Sequence, residues 1–391
     1  MTAGDGRVPF AIPDITEAEI EAVAQAMRSG WLTTGPNAAA FEREFVEYLG
    51  GGDLIGVAVN SATAGLHLAI EALGIGPGDE VLVPTWTFTA TAEIVRYVGA
   101  TPVIVDVRTE TLNIDLEHAE HLLTPRTKAM IPVHFAGVPV GASAVREFAA
   151  RHNLAVVEDA AHAFPVRDGD RFVGNGDSDA VVFSFYATKT IATGEGGMLV
   201  TRDPDLARRA RTMRLHGISR DVFDRYSSRK PSWEYEVVAP GFKYNLTDVA
   251  AAMGRVQLRR AEEMRRNRMA IAERYRAELA DLPLRLPAPT PDPAGHAHHL
   301  FVVQVEDDAP IGRNRLIEEL STRGVSTSVH FIPLHLHPYW RETFDLKPES
   351  FPVATDAYAR TVSLPIFSSM TTAQVDQVVE ALQEVLGPHA V

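Results

Sequence analysis

Short apolar runs recur along the first half of the chain, each followed by an amphipathic or polar stretch. The runs at 54–59, 80–84, 101–106, 129–134 and 155–159 alternate poorly between apolar and polar residues. Strands buried on both faces read this way. Helical periodicity fills the gaps at 66–73 and 115–123, and again at 206–215. Strand and helix in alternation predict a mostly parallel mixed sheet flanked by helices. Ahead of it, Thr16 and Glu19 have capping-box spacing, so a helix starts there and runs to about 29–30. A turn at 76–79 and a loop at 31–36 follow from their Gly and Pro.

The second half reads differently. Asn-Leu-Thr-Asp at 245–248 starts a long helix to about residue 281, with many Arg assigned to its exposed face. The Pro-rich stretch 283–293 reads as a linker. A strand at 300–305, a helix at 313–323, a strand at 325–331, a loop at 333–339 and a closing helix at 372–386 make a smaller α+β domain. With 391 residues the chain exceeds one compact core. The expected division is a large domain over 1–255, with an N-terminal arm, and a small domain over 256–391 that includes the long helix.

One stretch breaks the pattern with chemistry. Val-Val-Phe-Ser-Phe at 181–185 is a buried strand that opens into a polar turn holding Lys189, and Gly-Glu-Gly-Gly follows at 194–197. On exposure alone a single Lys would be a surface residue. A lysine just past a buried strand sits near apolar surroundings, where the free amine becomes available.

Composition narrows the options. The chain has no cysteine, which excludes disulfides, Cys-ligated metals and thiol catalysis. The net charge of −14 argues against nucleic acid as a partner. The first residues lack a signal-peptide pattern, and no apolar stretch is long enough to span a bilayer, so a cytoplasmic enzyme is expected. No metal site is indicated. His296, His298 and His299 read as part of a solvated linker, and the histidines at 330–337 as part of a site-lining loop.

In open α/β sheets ligands bind at the carboxyl ends of the strands. Thr63, Phe88, Asp159, Ser184 and Lys189 all fall there. Ala62 and Thr63 open a helix, where backbone N–H groups are unpaired and the dipole is positive. Asp159 ends a strand about thirty residues before Lys189, which leaves room for a βαβ-like return. An amine, a carboxylate, an anion pocket and an aromatic face are what pyridoxal 5′-phosphate chemistry requires. The region 216–244 is long for a loop without function. Its Arg220, Arg225, Arg229 and Lys230 are candidates for holding a diphosphate, or form a solvated charged surface.

Several of these runs carry a resemblance. They are Ser-Gly-Trp-Leu-Thr-Thr-Gly-Pro at 29–36, Asn-Ser-Ala-Thr-Ala-Gly-Leu at 60–66, Glu-Asp-Ala-Ala-His-Ala at 158–163 and Phe-Ser-Phe at 183–185 with Lys189. Gly-Glu-Gly-Gly at 194–197 and Gly-Phe-Lys-Tyr-Asn-Leu-Thr-Asp at 241–248 complete the set. Together they resemble the DegT/DnrJ/EryC1/StrS-type sugar aminotransferases, which are fold-type I pyridoxal-phosphate enzymes. Within the group the chain looks most like the branch that makes 4-amino-4-deoxy-arabinose on a uridine diphosphate carrier.

The resemblance implies roles. Lys189 would bond the cofactor and act as acid and base, with Asp159 against the pyridine nitrogen and His162 beside the ring. Ser184, Ala62 and Thr63 would take the phosphate, and Phe88 the stacking place, with Trp86 as a neighbour. Trp31, Thr33, Trp86, His216, Arg220, Lys230 and His330 are the substrate candidates. The family's Gly-x-Asn-x-Arg run is altered here, so either Lys243 or Asn245 would reach a neighbouring subunit's phosphate in a homodimer. The implied reaction moves an amino group from an amino acid, L-glutamate in the family, to C4 of a nucleotide-diphosphate 4-keto sugar. A keto-pentose is favoured over a 6-deoxyhexose, a 3-keto sugar or a cyclitol ketone. A non-catalytic cofactor-binding sensor is the alternative of a different class.

Overall fold

A computed structural model describes residues 6–219, 235–290 and 292–387. Seven strands form its central sheet: β1 (Ile55–Val59), β2 (Glu80–Pro84), β3 (Thr101–Val105), β4 (Thr127–Met130), β5 (Ala155–Asp159), β8 (Ala180–Ser184) and β9 (Gly197–Thr201). Their order is β1-β9-β8-β5-β4-β2-β3. β3, β2, β4, β5 and β8 pair in parallel, while β9 is antiparallel to both neighbours. β8 and β9 are joined by a loop without a helix. A chain that returns to the adjacent position without a crossover must run antiparallel. Every residue of β2 and β8 is buried, which is why those runs showed no alternation, and β9, not expected from the sequence, is buried throughout as well.

The expected βαβ-like return between β5 and β8 takes another form. The strands are parallel, but their crossing contains a small hairpin, β6 (Arg167–Asp168) with β7 (Arg171–Phe172). β4 is shorter than the expected 129–134, because Pro132 has no amide hydrogen to extend the ladder. The helices α1 (Glu17–Arg28), α2 (Pro36–Tyr48), α3 (Ala62–Ala72), α4 (Ala90–Tyr97), α5 (Leu116–His121), α6 (Ala142–His152) and α7 (Pro204–Met213) accompany this sheet. α2 was not expected from the sequence. It starts with Pro36 at its first position, where the missing amide costs nothing, and buries Phe41 and Phe45.

The long helix spans Asp248–Glu278, capped by Thr247, whose hydroxyl accepts from the Ala250 amide at 3.2 Å. It was expected to expose its arginines. Arg265 and Arg268 are instead buried, because each donates to backbone carbonyls of the 293–299 segment. Ala251, Leu258, Ala261 and Met264 pack with Phe41, Phe45 and Phe183. Further along, Ile271, Ala272 and Tyr275 join a second core with Val303 and Leu382. Residues 255 and 256 therefore lie inside one continuous element that serves two cores.

The C-terminal region holds a three-stranded antiparallel sheet, β10 (Leu284–Arg285), β11 (Phe301–Val305) and β12 (Thr361–Leu364), with the closing helix Thr372–Leu386. β10 falls within the expected linker. The expected strand at 325–331 does not form. Val325 bridges Val8 and Ser328 bridges Ser363, so the segment changes partners before a ladder can build. The loop expected at 333–339 contains a turn of 3-10 helix, Leu334–Leu336, and enters the helix Pro338–Thr343.

α1 is fastened to the long helix by Glu19. Burial alone would raise its pKa. Hydrogen bonds from the Thr16 side chain and backbone, then from Arg260 and Gln257, overcome that and hold it at about 2. A lowered folded-state pKa adds stability above the unfolded value near 4.5 and loses it as the pH falls toward 2. Glu19→Gln should cost roughly 2 kcal/mol at neutral pH and nothing at pH about 2. Urea titrations at both pH values check this.

Candidate active site

A cavity of about 460 Å³ opens at the carboxyl ends of β1, β2, β5 and β8 and the amino end of β9. The sheet's direction dictates this meeting. Each parallel strand delivers the residues that follow it to the same edge, and the reversed β9 delivers the ones that precede it. Ala62, Thr63, Phe88, Asp159, His162, Ser184, Lys189 and His330 all line this cavity.

β1 ends at the start of α3. The Ser61 hydroxyl caps that helix by accepting from the Ala64 amide at 3.1 Å. The first-turn amides of Ala62 and Thr63 have no partner within the helix and face its positive end. Gly197, the first residue of β9, lies against this turn. A Cβ there would stand 2.8 Å from the Ala62 nitrogen, so only glycine allows the approach. Ser184 ends β8 and its hydroxyl accepts from the Tyr186 amide at 3.3 Å.

Asp159 ends β5 and is buried. Its Oδ2 accepts from the Thr91 hydroxyl at 2.8 Å and its Oδ1 from the Ala161 amide at 3.1 Å. Burial raises its pKa, against the pull of those donors and of Lys189. Lys189 sits in the turn after β8, its amide bonded to the Tyr186 carbonyl at 2.9 Å. The surface it retains opens on the cavity. Burial lowers its pKa to about 8; Asp159 opposes the shift and Arg268 reinforces it.

His162 is buried, and its Nδ1 accepts from the Ala136 amide at 3.3 Å. The ring proton is therefore on Nε2. Burial, then the charge of Lys189, pushes its pKa well down, so the ring is neutral at physiological pH. It stacks on Phe331, with centroids 5.8 Å apart. Phe88 is 59% exposed, although large and apolar, and it stands 6.0 Å from Phe331 across the cavity mouth.

Other expected residues lie elsewhere. Trp86 lines nothing: it is fully buried, and its indole N–H donates to the His330 carbonyl at 3.0 Å. It anchors the segment that carries His330 and is not placed to touch a substrate. Trp31 donates to the Thr34 carbonyl at 3.0 Å, and the Thr33 carbonyl accepts from the Asp248 amide at 3.2 Å. His216 is exposed, with its amide on the Phe242 carbonyl at 2.7 Å. None of the three borders the cavity in this chain. Asn245 is buried and its amide donates to the Thr34 hydroxyl at 2.7 Å. Lys243 is exposed and donates to the Asn245 oxygen at 2.6 Å. Arg220, Arg225, Arg229 and Lys230 fall outside the described residues.

Thr91 and His299 are among the cavity residues that were not anticipated. Thr91 sits four positions after Thr87, one helical turn, and their hydroxyls bond at 2.7 Å. That spacing was the available signal. His299 was expected in a solvated linker, yet His296, His298 and His299 are all buried. His299 immediately precedes the segment leading into β11, and its Nε2 lies 3.5 Å from the Lys189 Nζ. His335 is also buried, held by Thr85 and Thr355 away from the cavity. Among the described residues no cluster of His, Asp or Glu could hold a metal ion, and no helix is long and apolar enough to cross a membrane.

An enclosed amine, a buried carboxylate and a helix start around one cavity are the parts that the sequence pattern anticipated. The chain matches the DegT/DnrJ/EryC1/StrS aminotransferase family over residues 13–383. It belongs to that family. Among its relatives is SpsC of Bacillus subtilis strain 168, a spore coat polysaccharide biosynthesis protein. SpsC is 45% identical over 381 residues, which cover 97% of each chain. Spr1654 of Streptococcus pneumoniae, assigned as a sugar aminotransferase, superposes in its PMP form with a TM-score of 0.90 at 32% identity, covering 97% and 98% of the two chains. DesV of S. venezuelae, solved with a ketimine intermediate, has a TM-score of 0.85 at 36% identity, covering 97% and 98%. Spr1654 has also been solved in a PLP form. This member of the family is thus a fold-type I, pyridoxal-phosphate-dependent transaminase.

Proposed function

We propose that this aminotransferase takes an amino group from L-glutamate and delivers it to C4 of a nucleotide-diphosphate-linked 4-keto sugar, with a keto-pentose preferred. The observation that carries the reading is the single cavity that joins the Lys189 amine, the Asp159 carboxylate and the start of α3. The role of SpsC in polysaccharide synthesis supports a sugar acceptor over a cyclitol. A cytoplasmic homodimer with shared sites belongs to the same proposal. The exposed Lys243 supports it, as does an open cavity mouth flanked by Phe88 and Tyr186, which are 59% and 48% exposed.

The residues fit pyridoxal phosphate. The first-turn amides of Ala62 and Thr63, with the Ser184 hydroxyl, would hold the phosphate, and the exposed face of Phe88 would cover the ring. Asp159 would meet the ring nitrogen, whose positive charge offsets the carboxylate's burial. When bound, the cofactor supplies an aldehyde that carries the amino group and a ring that accepts electrons.

The chain's own groups then divide the work. The Lys189 Nζ takes the proton from the carbon that bears the amino group and returns it on the neighbouring side. Its lowered pKa leaves a useful fraction of free amine near neutral pH. His162, neutral with its proton on Nε2, offers a donor beside the ring. Phe88, Phe331 and the 330 segment limit water at the reacting atoms.

A panel of UDP- and TDP-linked 4-keto sugars, offered to the pyridoxamine form, tests the reading. The UDP-linked keto-pentose should discharge the amine at least about tenfold faster than its 6-deoxyhexose counterpart, since one methyl group is worth about that much. Discharge by a cyclitol ketone alone would overturn the proposal.

A further inference from the structure

We propose that the His299 Nε2–H hydrogen-bonds to the lone pair of the Lys189 Nζ and so holds that amine in its unprotonated form. The inference rests on the reading of Lys189 as the reacting amine, and it adds a positioning residue behind it.

The protons and partners of the His299 ring decide which nitrogen donates. His299 is 5% exposed, and its Nε2 lies 3.5 Å from the Lys189 Nζ. Hydrogen bonds in ligand-free sites are often this long and tighten on binding. Its other ring nitrogen, Nδ1, is buried and has no hydrogen-bond partner. Two arrangements are open to a neutral ring. If Lys189 is an ammonium it donates to Nε2, and the ring proton must sit on Nδ1 as an orphaned buried N–H. If Lys189 is a free amine, Nε2–H donates to it and Nδ1 keeps only a bare lone pair. Orphaned buried donors are the rarer and costlier case. The enclosure of Nδ1 thus selects the donor form at Nε2.

The backbone that carries the ring is held in place. Its amide donates to the Ala136 carbonyl at 3.1 Å, and Arg268, itself buried, reaches the His298 and His299 carbonyls at 3.5 and 3.4 Å. Gly137 permits the close packing behind it. Its φ is +97°, and a Cβ there would lie 2.8 Å from the Ala297 Cβ. His162 closes the other side, with ring centroids 4.3 Å apart.

The remaining charged and titratable neighbours agree with a neutral imidazole. His162, His330 and Arg268 surround it from three elements, and Asp159 lies across the cavity with Lys189. Tyr186 and Glu195 line the same cavity from the loop between β8 and β9. Burial, then the positive charge of Lys189, pushes the His299 pKa well below its usual value. A second proton on the ring is excluded, so the one it carries is fixed by Nδ1.

The test reads the amine, not turnover. Apoprotein is reloaded with pyridoxal phosphate across neutral to alkaline pH, reduced with borohydride, and mapped by mass spectrometry. The pH midpoint of attachment at Lys189 reports the free amine. For the unmodified chain it should lie near 8. His299→Phe removes the donor and should raise the midpoint by about one pH unit. His299→Gln keeps an N–H at a similar reach and should return it toward the original value. If His299→Phe does not fold, His299→Ala takes its place with the same expected shift. An unchanged midpoint, or one that falls, overturns the proposal. Attachment at another lysine would instead refute the assignment of Lys189 itself.

Discussion

Lys189→Ala is expected to lower kcat by a factor on the order of 10⁴ or more, as loss of a nucleophile that also serves as base does. The lysine occupies a turn, not a core position, and its amide bonds to the Tyr186 carbonyl whatever the side chain. The fold should therefore survive, which circular dichroism can confirm. Cofactor should still bind through the phosphate contacts, but borohydride should no longer fix it to the protein. Lys189→Arg is the sharper control. It keeps the positive charge beside Asp159 but cannot lose its proton, so it should be as inactive as alanine. If the arginine variant retains turnover within tenfold of the original, charge and not amine chemistry is the contribution of position 189. If alanine does so, the reacting amine lies elsewhere.

The frame around this lysine was legible in the sequence because each part follows from a local rule. Buried parallel strands read as apolar runs, and β2, β5 and β8 fall where those runs do. Thr16 with Glu19, and Thr247, marked helix starts through their own caps. The sheet edge then followed from strand direction. What escaped notice depends on contacts between distant segments. Trp86 and Phe88 stand two residues apart, yet one is sealed in the core and the other faces the cavity. His299 is separated from Lys189 by 110 positions, and no periodicity connects them. Arg268 looked like one of many exposed arginines, but three carbonyls, those of His298, His299 and Ile366, draw it inward. Their pull became visible only once the C-terminal segments were in place.

The same distinction separates reaction from substrate. The groups of the cavity come from the sheet edge, whose geometry is set by the core. The sugar-nucleotide candidates Trp31, Thr33 and His216 lie outside the cavity. Selection of the sugar is thus expected to draw on loops beyond the sheet edge. Substitutions at His216 should change KM for the nucleotide sugar more than they change kcat.

Asp159→Asn should lower kcat by roughly 10² to 10³ while leaving the fold at least as stable. The two halves of this expectation have opposite signs because they arise in different states. Burial raises the Asp159 pKa in the folded protein. A carboxyl group whose folded pKa lies above its unfolded value loses stability as it ionises, and that penalty is present once the pH exceeds the unfolded value of about 4. Asparagine is nearly isosteric and carries no charge, so the variant escapes the penalty. Its carbonyl can still accept from the Ala161 amide, and its NH₂ can donate to the Thr91 hydroxyl, which rotates to accept. The melting temperature of the cofactor-free variant should accordingly equal or exceed that of the unmodified protein at neutral pH, and the difference should vanish as the pH falls below 4. With cofactor bound the balance reverses. In the proposed arrangement Asp159→Asn would remove the anion that keeps the ring nitrogen protonated, and electron uptake would weaken. A loss of about 3 to 4 kcal/mol in transition-state stabilisation gives the stated fall in kcat. Calorimetry with and without cofactor, paired with single-turnover kinetics, separates the two effects. A variant that melts lower in the cofactor-free state would assign Asp159 to the structure, and one that turns over normally would remove it from the chemistry.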